Sequence, residues 1–175
     1  MTMVCVDGVL LRQVLHRLLC EERRLLVCVG TELREDDRVG LEICRALAGR
    51  GYRVLECEYG LENCFSQLAE MRPGNILIVD AVYHSDSEPG DVVIVSEELM
   101  SEDLVLTTHT IPMKLLLETL RREGAVRNAV VLGIRIRRLG VGFTMSEVVA
   151  SAAEKLVELI EGVLRMCPGD AEAQS

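Results

Sequence analysis

The chain has 175 residues, 49% of them hydrophobic but only 3% aromatic, so we expect one domain with a largely aliphatic core. Its 28 acidic and 19 basic residues give a net charge of −9, which disfavours binding to nucleic-acid phosphates or to an anionic membrane surface. No stretch reaches the roughly 18 consecutive apolar residues of a membrane span, and charges spread through residues 1–24 argue against a signal peptide.

The seven cysteines are scattered, and none forms a Cys-x-x-Cys pair. Cys28 falls in an apolar run and Cys44 on an apolar helix face, as small buried hydrophobic residues usually do. An odd number without framework spacing fits a reducing compartment better than secretion. We therefore expect a cytoplasmic protein.

Helical and strand-like patterns alternate along the chain. In chain order, the sequence predicts a helix over 9–19, a strand over 25–29, a helix over 39–48, a strand over 53–57, a helix over 61–71, strands over 75–80 and 92–95, a helix over 112–121, a strand over 129–134 and a helix over 145–164. This alternation indicates an α/β fold with a mostly parallel sheet covered on both faces. We expect an α/β domain over 25–167, a helical extension over 1–24 packed on it, and a flexible tail over 168–175.

The loop after the first strand opens at Gly30 and ends near Gly40. It lacks the G-x-G-x-x-G and G-K-[ST] patterns, which excludes a dinucleotide fingerprint and a P-loop. Its four carboxylates would repel a phosphate and attract a cation: Glu32, Glu35, Asp36 and Asp37. Taken alone, helix capping is the commoner role for Asp36 or Asp37, because an aspartate at a helix start interacts favourably with the helix dipole.

Two further polar residues follow apolar runs. Asp80 comes directly after Ile-Leu-Ile-Val, and His109 follows an apolar pair and two threonines. In an open α/β sheet such positions gather at the carboxyl edge, where ligands bind. Asp80 alone is equally typical of a turn, and His109 alone of a local hydrogen-bonding group. Together with a carboxylate of the loop after the first strand, Asp80 and His109 predict a half-open site for a divalent metal such as nickel, zinc or manganese.

Other chemistries find less support. The G-x-S-x-G pattern of nucleophile-elbow hydrolases and the H-E-x-x-H pattern of helical zinc proteases are both missing from the sequence. Cys57 or Cys64 could act as a nucleophile, but the sequence indicates no positioned base for either one.

The same segments resemble the motifs of the nickel-iron hydrogenase maturation endopeptidases. Residues 30–40 resemble that family's G-N-x-L-x-x-D-[DE]-G-x-G loop, and residues 62–63 resemble its P-E-N segment. Residues 77–82 and 89–92 resemble its I-V-D-A and P-G-x-[VI] segments, and residues 107–113 resemble its T-T-H-x-x-P-L segment. Residues 132–134 and 145–148 resemble its L-G-I and L-S-x-x-V ending. The motifs occur in the family's order from about residue 25 to 164, so their joint occurrence is far more specific than any one of them.

This resemblance implies a single α/β domain with a twisted five-stranded sheet between helices. It implies an endopeptidase that removes the C-terminal extension of a hydrogenase large-subunit precursor after nickel insertion. The family's metal-contacting and catalytic positions correspond to Asp37, Asp80 and His109. The nickel belongs to the substrate, so we expect no intrinsic cofactor. Two alternatives stay open: a metallopeptidase with its own metal and broader substrates, and a non-catalytic metal-sensing chaperone for the precursor.

The chain departs from the family pattern at several positions. Thr31 replaces the usual asparagine, and Glu35 and Arg38 replace residues that are commonly glycine. Because glycine tolerates positive φ, we expect the loop to follow a somewhat different path. Tyr59 and Leu61 also depart from the G-G-T-x-P-E-N pattern. These changes bear on substrate choice more than on the metal site.

Overall fold

The fold is known from a computed structural model, which describes residues 4–5, 8–83, 87–95, 105–106 and 113–167. In this part of the chain the elements are β1 (Val4–Cys5), α1 (Gly8–Leu19), β2 (Arg24–Gly30), α2 (Val39–Ala48), β3 (Val54–Glu58), α3 (Phe65–Met71), β4 (Gly74–Tyr83), β5 (Val92–Val95), β6 (Val105–Leu106), α4 (Met113–Arg122), β7 (Val126–Arg135) and α5 (Glu147–Leu164). Short 3-10 turns, Glu35–Arg38 and Leu61–Cys64, lead into α2 and α3. None of the described helices is both long and apolar enough to cross a bilayer.

The predicted five-stranded, mostly parallel sheet is confirmed. Strands β3, β2, β4 and β7 lie side by side and parallel, and β5 joins the outer edge of β7 in antiparallel orientation. Two very short strands extend this sheet: β1 pairs with β5, and β6 pairs with the end of β4. Two residues are too few for a hydrophobic period, which explains why the sequence did not indicate β1 or β6.

Helices cover the sheet on both faces, as predicted. Helices α1, α2 and α5 pack on one face, and α3 and α4 pack on the other. Successive side chains of a strand point to opposite faces, so β4 contributes to both cores: Leu77, Val79 and Ala81 to the first, and Ile76, Ile78 and Val82 to the second. A strand buried on both faces is an unbroken apolar run, the pattern that indicated β2 and β4.

Helix α1 belongs to the main core. Its buried leucines pack against α5 and the first face of the sheet: Leu11, Leu15, Leu18 and Leu19. Helix α1 therefore packs on the same core as α2 and α5. The predicted flexible tail, 168–175, lies outside them.

Six of the cysteines form three disulfides: Cys20–Cys167, Cys28–Cys44 and Cys57–Cys64. The expectation that Cys28 and Cys44 are simple hydrophobic residues is wrong, because they are buried but bonded to each other. Two of the bridges join residues 16 and 147 positions apart, and the third joins β3 to the turn that follows it. Sequence spacing could not reveal such pairs, and the cysteine pattern therefore does not support the inference of a reducing compartment.

Candidate functional site at the carboxyl edge of the sheet

The loop between β2 and α2 lies directly on the carboxyl ends of the central strands. A Cβ atom at Gly40 would come within 2.1 Å of the Val29 carbonyl oxygen and 2.8 Å of the Val79 carbonyl oxygen. A Cβ atom at Gly30 would lie 2.4 Å from the carbonyl oxygen of Asp37. Only glycine permits this close approach of one backbone to another. The two glycines that delimit the loop therefore fix it against β2 and β4.

Asp36 connects this loop to the loop that follows β7. Its carboxylate is fully buried. Oδ2 accepts hydrogen bonds from the backbone N–H of Arg137 (2.9 Å), that of Arg138 (2.7 Å) and the Ser146 hydroxyl (2.9 Å), and Oδ1 accepts one from the Ser146 N–H (2.6 Å). The helix-capping interpretation is wrong for Asp36, because all these donors lie on the other loop. Its role in this arrangement is structural.

Asp37, the predicted first ligand, is also fully buried. It lies in the 3-10 turn Glu35–Arg38, which contacts both β2 and β4. The cap position of α2 is taken by Arg38, which makes no side-chain capping bond. Burial of a carboxylate is unfavourable unless another group compensates its charge, so a carboxylate at this position is suited to meeting a cation.

Asp80, the predicted second ligand, is 1% exposed and lies inside β4. The prediction that it ends the strand is wrong, because β4 continues to Tyr83 through its pairing with β7. The pairing of β4 with β2 stops at Val79, however, so Asp80 is the first residue of β4 beyond that pairing. Its Oδ1 accepts a hydrogen bond from the Ala81 N–H at 2.8 Å, which orients the carboxylate.

The structure brings the segments that carry the two aspartates together. Gly40 packs on the carbonyl of Val79, the residue before Asp80, and Asp37 precedes Gly40 by one helical turn. Two buried carboxylates are thus carried by neighbouring segments at one edge of the sheet. Their role as ligands stays a prediction.

His109, the predicted third ligand, lies outside the described residues. The strand that precedes it is described: Leu106 in β6 pairs with Val82, two residues beyond Asp80. Within the described ranges, no group of three or more His, Cys, Asp or Glu side chains is arranged to hold a metal ion. The complete ligand set therefore stays a prediction.

Another acid of the loop binds a surface arginine. The Glu32 carboxylate accepts a hydrogen bond from Arg45, and Arg45 also contacts Glu56 at 3.2 Å. The hydrogen bond that Arg45 donates to Glu32 is the main cause that raises the pKa of the Arg45 guanidinium above its ordinary value. The Glu32 side chain is half exposed and binds Arg45 of α2, which also binds Glu56 of β3. Glu32 therefore does not belong to the buried edge.

The two side chains that replace the family's glycines hold the neighbouring loop. Glu35 accepts a hydrogen bond from the Gly140 N–H at 3.0 Å. Arg38 donates to the carbonyl of Phe143 and forms an ion pair with Glu42 at 2.7 Å. Among the described residues, neither position has a positive φ, so its backbone does not require glycine. No sequence motif indicated this contact between loops, because the partners lie about a hundred positions apart.

Comparison with known proteins decides the family. The sequence model of the protein family HycI, hydrogenase maturation protease, matches residues 60–163, which are more than half of the chain. The chain belongs to the hydrogenase maturation protease family. The matched stretch contains Asp80 and His109, whereas Asp37 lies before it. Membership in this family makes the protein a protease.

Individual members of the family agree with this assignment. The hydrogenase 3 maturation protease of Escherichia coli K12 is 28% identical over 141 residues, which cover 79% of this chain and 88% of that protein. The NiFe hydrogenase maturation protease HybD of Thermococcus kodakarensis has a TM-score of 0.65 at 29% identity, covering 81% of this chain and 99% of its own. HycI of Thermococcus kodakarensis KOD1 has a TM-score of 0.73 at 24% identity, covering 87% and 99%, and supports the fold.

Proposed function

We propose that this maturation protease removes the C-terminal extension of a nickel-iron hydrogenase large-subunit precursor after nickel insertion, and that it contacts the nickel of the substrate through Asp37, Asp80 and His109. The observation that carries the proposal is the burial of Asp37 and Asp80 on neighbouring segments at the carboxyl edge. For His109, the proposal rests on the family motif and on β6, which ends three residues earlier beside β4.

The physical basis of the proposed recognition is charge compensation. Two buried carboxylates on neighbouring segments of one edge repel each other, and a divalent cation removes that repulsion. A precursor that carries nickel would supply this cation, whereas an empty precursor would supply only its polypeptide contacts. Recognition of the metal therefore acts as a test of maturation before cleavage.

The same contact would orient the peptide bond to be cleaved. A precursor bound through its metal and its polypeptide has little freedom to move, and fixed orientation lowers the barrier of a reaction step. Hydrolysis requires water activation, by a carboxylate or by polarisation at the metal, and Asp37 and Asp80 supply the acidic groups for either route. The protein itself needs no resident metal under this proposal.

The experiment is incubation of the purified protein with precursor that either carries nickel or lacks it. We expect the mass of the nickel-loaded precursor to fall by the mass of its extension, and the nickel-free precursor to stay intact. Equal cleavage of both forms would contradict recognition through the metal. Complex formation with no change in mass would support the non-catalytic chaperone instead.

Metal analysis separates the proposal from a metallopeptidase that has its own metal. Protein purified without added ions should contain far less than one zinc or nickel per chain. A stoichiometric metal, together with cleavage of unrelated peptides, would favour the alternative.

We also propose a cytoplasmic location for this reaction. The three disulfides are compatible with it only in organisms whose intracellular proteins retain disulfides, as hyperthermophiles do. Thiol labelling of protein extracted under rapid acid quench would show whether the six cysteines are bonded inside the cell.

A further inference from the structure

Two loops beside the candidate site expose large apolar side chains. We call this group the apolar rim, and its members are Leu33, Leu139, Val141 and Phe143. Val141 is 89% exposed and Phe143 is 73% exposed. The chain has only two phenylalanines, and one of them is thus exposed to solvent. Single exposed hydrophobic residues are ordinary, but several on paired loops next to an active site are typical of a binding surface.

The apolar rim is held in a fixed shape. Arg34 and Val141 form an antiparallel backbone bridge, and the Gly142 N–H donates to the Leu33 carbonyl at 3.1 Å. The Glu35 and Arg38 contacts to the second loop, described above, reinforce this pairing. A surface that is already ordered loses little conformational entropy when a partner binds. More of the free energy gained by burying its apolar area therefore appears as binding affinity.

The rim is continuous with the candidate site. Both depend on the 3-10 turn Glu35–Arg38: Asp37 lies buried inside this turn, while Glu35, Asp36 and Arg38 bind the loop that carries Val141 and Phe143. A polypeptide that reaches Asp37 therefore passes close to the rim.

We infer that the apolar rim binds an apolar segment of the precursor polypeptide next to its cleavage position. This inference depends on the proposed function, which supplies the precursor as the substrate. Apolar and aromatic side chains at the centre of an interface contribute most of its affinity. The same loop exposes Arg137 and also Arg138, which forms an ion pair with Glu35 at 3.6 Å, so Arg137 places positive charge beside the rim on a chain of net charge −9. The partner segment is accordingly apolar and flanked by acidic rather than basic residues.

The test compares wild-type protein with the double variant Val141→Ser/Phe143→Ser. Both side chains are exposed, so the midpoint of thermal unfolding should stay the same. The affinity for nickel-loaded precursor should fall about tenfold or more, and the loss in cleavage should appear as a higher KM rather than a lower kcat. Met166→Ser, a variant at a 55% exposed position just after α5, is the matched control and should bind like wild type.

Separate readouts distinguish failure of this inference from failure of the proposed function. If wild type cleaves the precursor and the double variant binds and cleaves it equally well, the rim inference is wrong and the function stands. If wild type binds without cleaving, the proposed function is wrong, and the affinity ratio still tests the rim. If the substitutions abolish self-association in sedimentation and leave precursor affinity unchanged, the rim is an interface between copies of this chain and the inference is overturned.

Discussion

The two ends of the sheet are stabilised in different ways. At the amino end, where β2 begins, the Cys20–Cys167 disulfide joins the segment after α1 to the segment after α5. At the carboxyl end, buried carboxylates lie between loops, and Asp36 alone accepts four hydrogen bonds from the loop after β7. At the amino end a disulfide joins segments 147 residues apart, whereas at the carboxyl end hydrogen bonds to a buried carboxylate join segments about a hundred residues apart.

This difference bears on where a ligand is expected. A disulfide stabilises the fold by restricting the unfolded chain, and it requires no ligand. A buried carboxylate is weak evidence for stability, because removing it from water offsets much of what its contacts gain. A ligand is therefore expected at the carboxyl end of the sheet, which we call the acidic end because Asp36, Asp37 and Asp80 are buried there. Asp36 holds the loop that carries Asp37.

The disulfide at the amino end should have the largest effect on stability. Cys20→Ser/Cys167→Ser opens a loop of 147 residues, for which the chain-entropy relation gives a loss of about 5 kcal/mol in the free energy of unfolding. Cys57→Ser/Cys64→Ser opens a loop of 7 residues and should lose about 2 kcal/mol by the same relation. Urea unfolding of both variants measures the two losses.

Precursor cleavage by the Cys20→Ser/Cys167→Ser variant is the accompanying control. It should match wild type below the unfolding transition, since this disulfide lies at the end away from the site. Equal losses of stability for the two cysteine pairs would show that loop closure does not determine their effect.

The next largest effect should come from Asp36→Ala at the acidic end. The substitution leaves three backbone N–H groups and a hydroxyl without their acceptor, and we expect a loss of about 4 kcal/mol in the free energy of unfolding. Urea denaturation measures this loss. Glu32→Gln, which changes a half-exposed carboxylate of the same loop, should lose less than about 1 kcal/mol. Similar unfolding curves for these two variants would contradict the structural role of Asp36.

The smallest effect concerns the charges at the amino end, where Glu161 lies between Arg50 and Arg165. Burial raises the pKa of the Glu161 carboxyl, but the hydrogen bonds and charges of Arg165 and Arg50 outweigh burial, so its pKa is lowered below the ordinary glutamate value. Stability from this ionised group is therefore present above the unfolded-state pKa and disappears as the pH falls through the lower folded-state pKa.

Glu161→Gln tests this dependence by urea unfolding at pH 7 and at pH 3. The variant should be slightly less stable than wild type at pH 7, and the difference should shrink at pH 3. A difference that grows in acid would contradict the direction of the shift. Arg12→Gln provides the comparison. Arg12 is a charged residue of α1 for which the structure gives no such ion pair among the described residues, so the effect of this variant on stability should depend less on pH.

The sequence predicted the central strands and missed the contacts that bring distant residues together. Apolar runs over 25–29 and 75–80 indicated β2 and β4 because both faces of these strands are buried. The disulfide partners could not be paired, since each pair is defined by packing and not by spacing.

The candidate site shows the same division. Loop composition and the family motif indicated an acidic edge and singled out Asp37 and Asp80. They did not reveal that Asp36 has a structural role, because its hydrogen-bond donors lie about a hundred positions later in the chain. The length of β4 beyond Asp80 was also missed, because its last residues are paired only with β7 and β6.

The most direct test of the central claim is cleavage of nickel-loaded precursor by Asp37→Asn, Asp80→Asn and His109→Ala, followed by mass spectrometry. Each variant should fold normally and cleave about 100-fold more slowly or not at all, since each removes a group that would contact the metal or the reacting peptide. Glu32→Gln, an acid of the same loop outside the buried edge, should cleave like wild type. Normal cleavage by all three site variants would contradict the assignment of Asp37, Asp80 and His109.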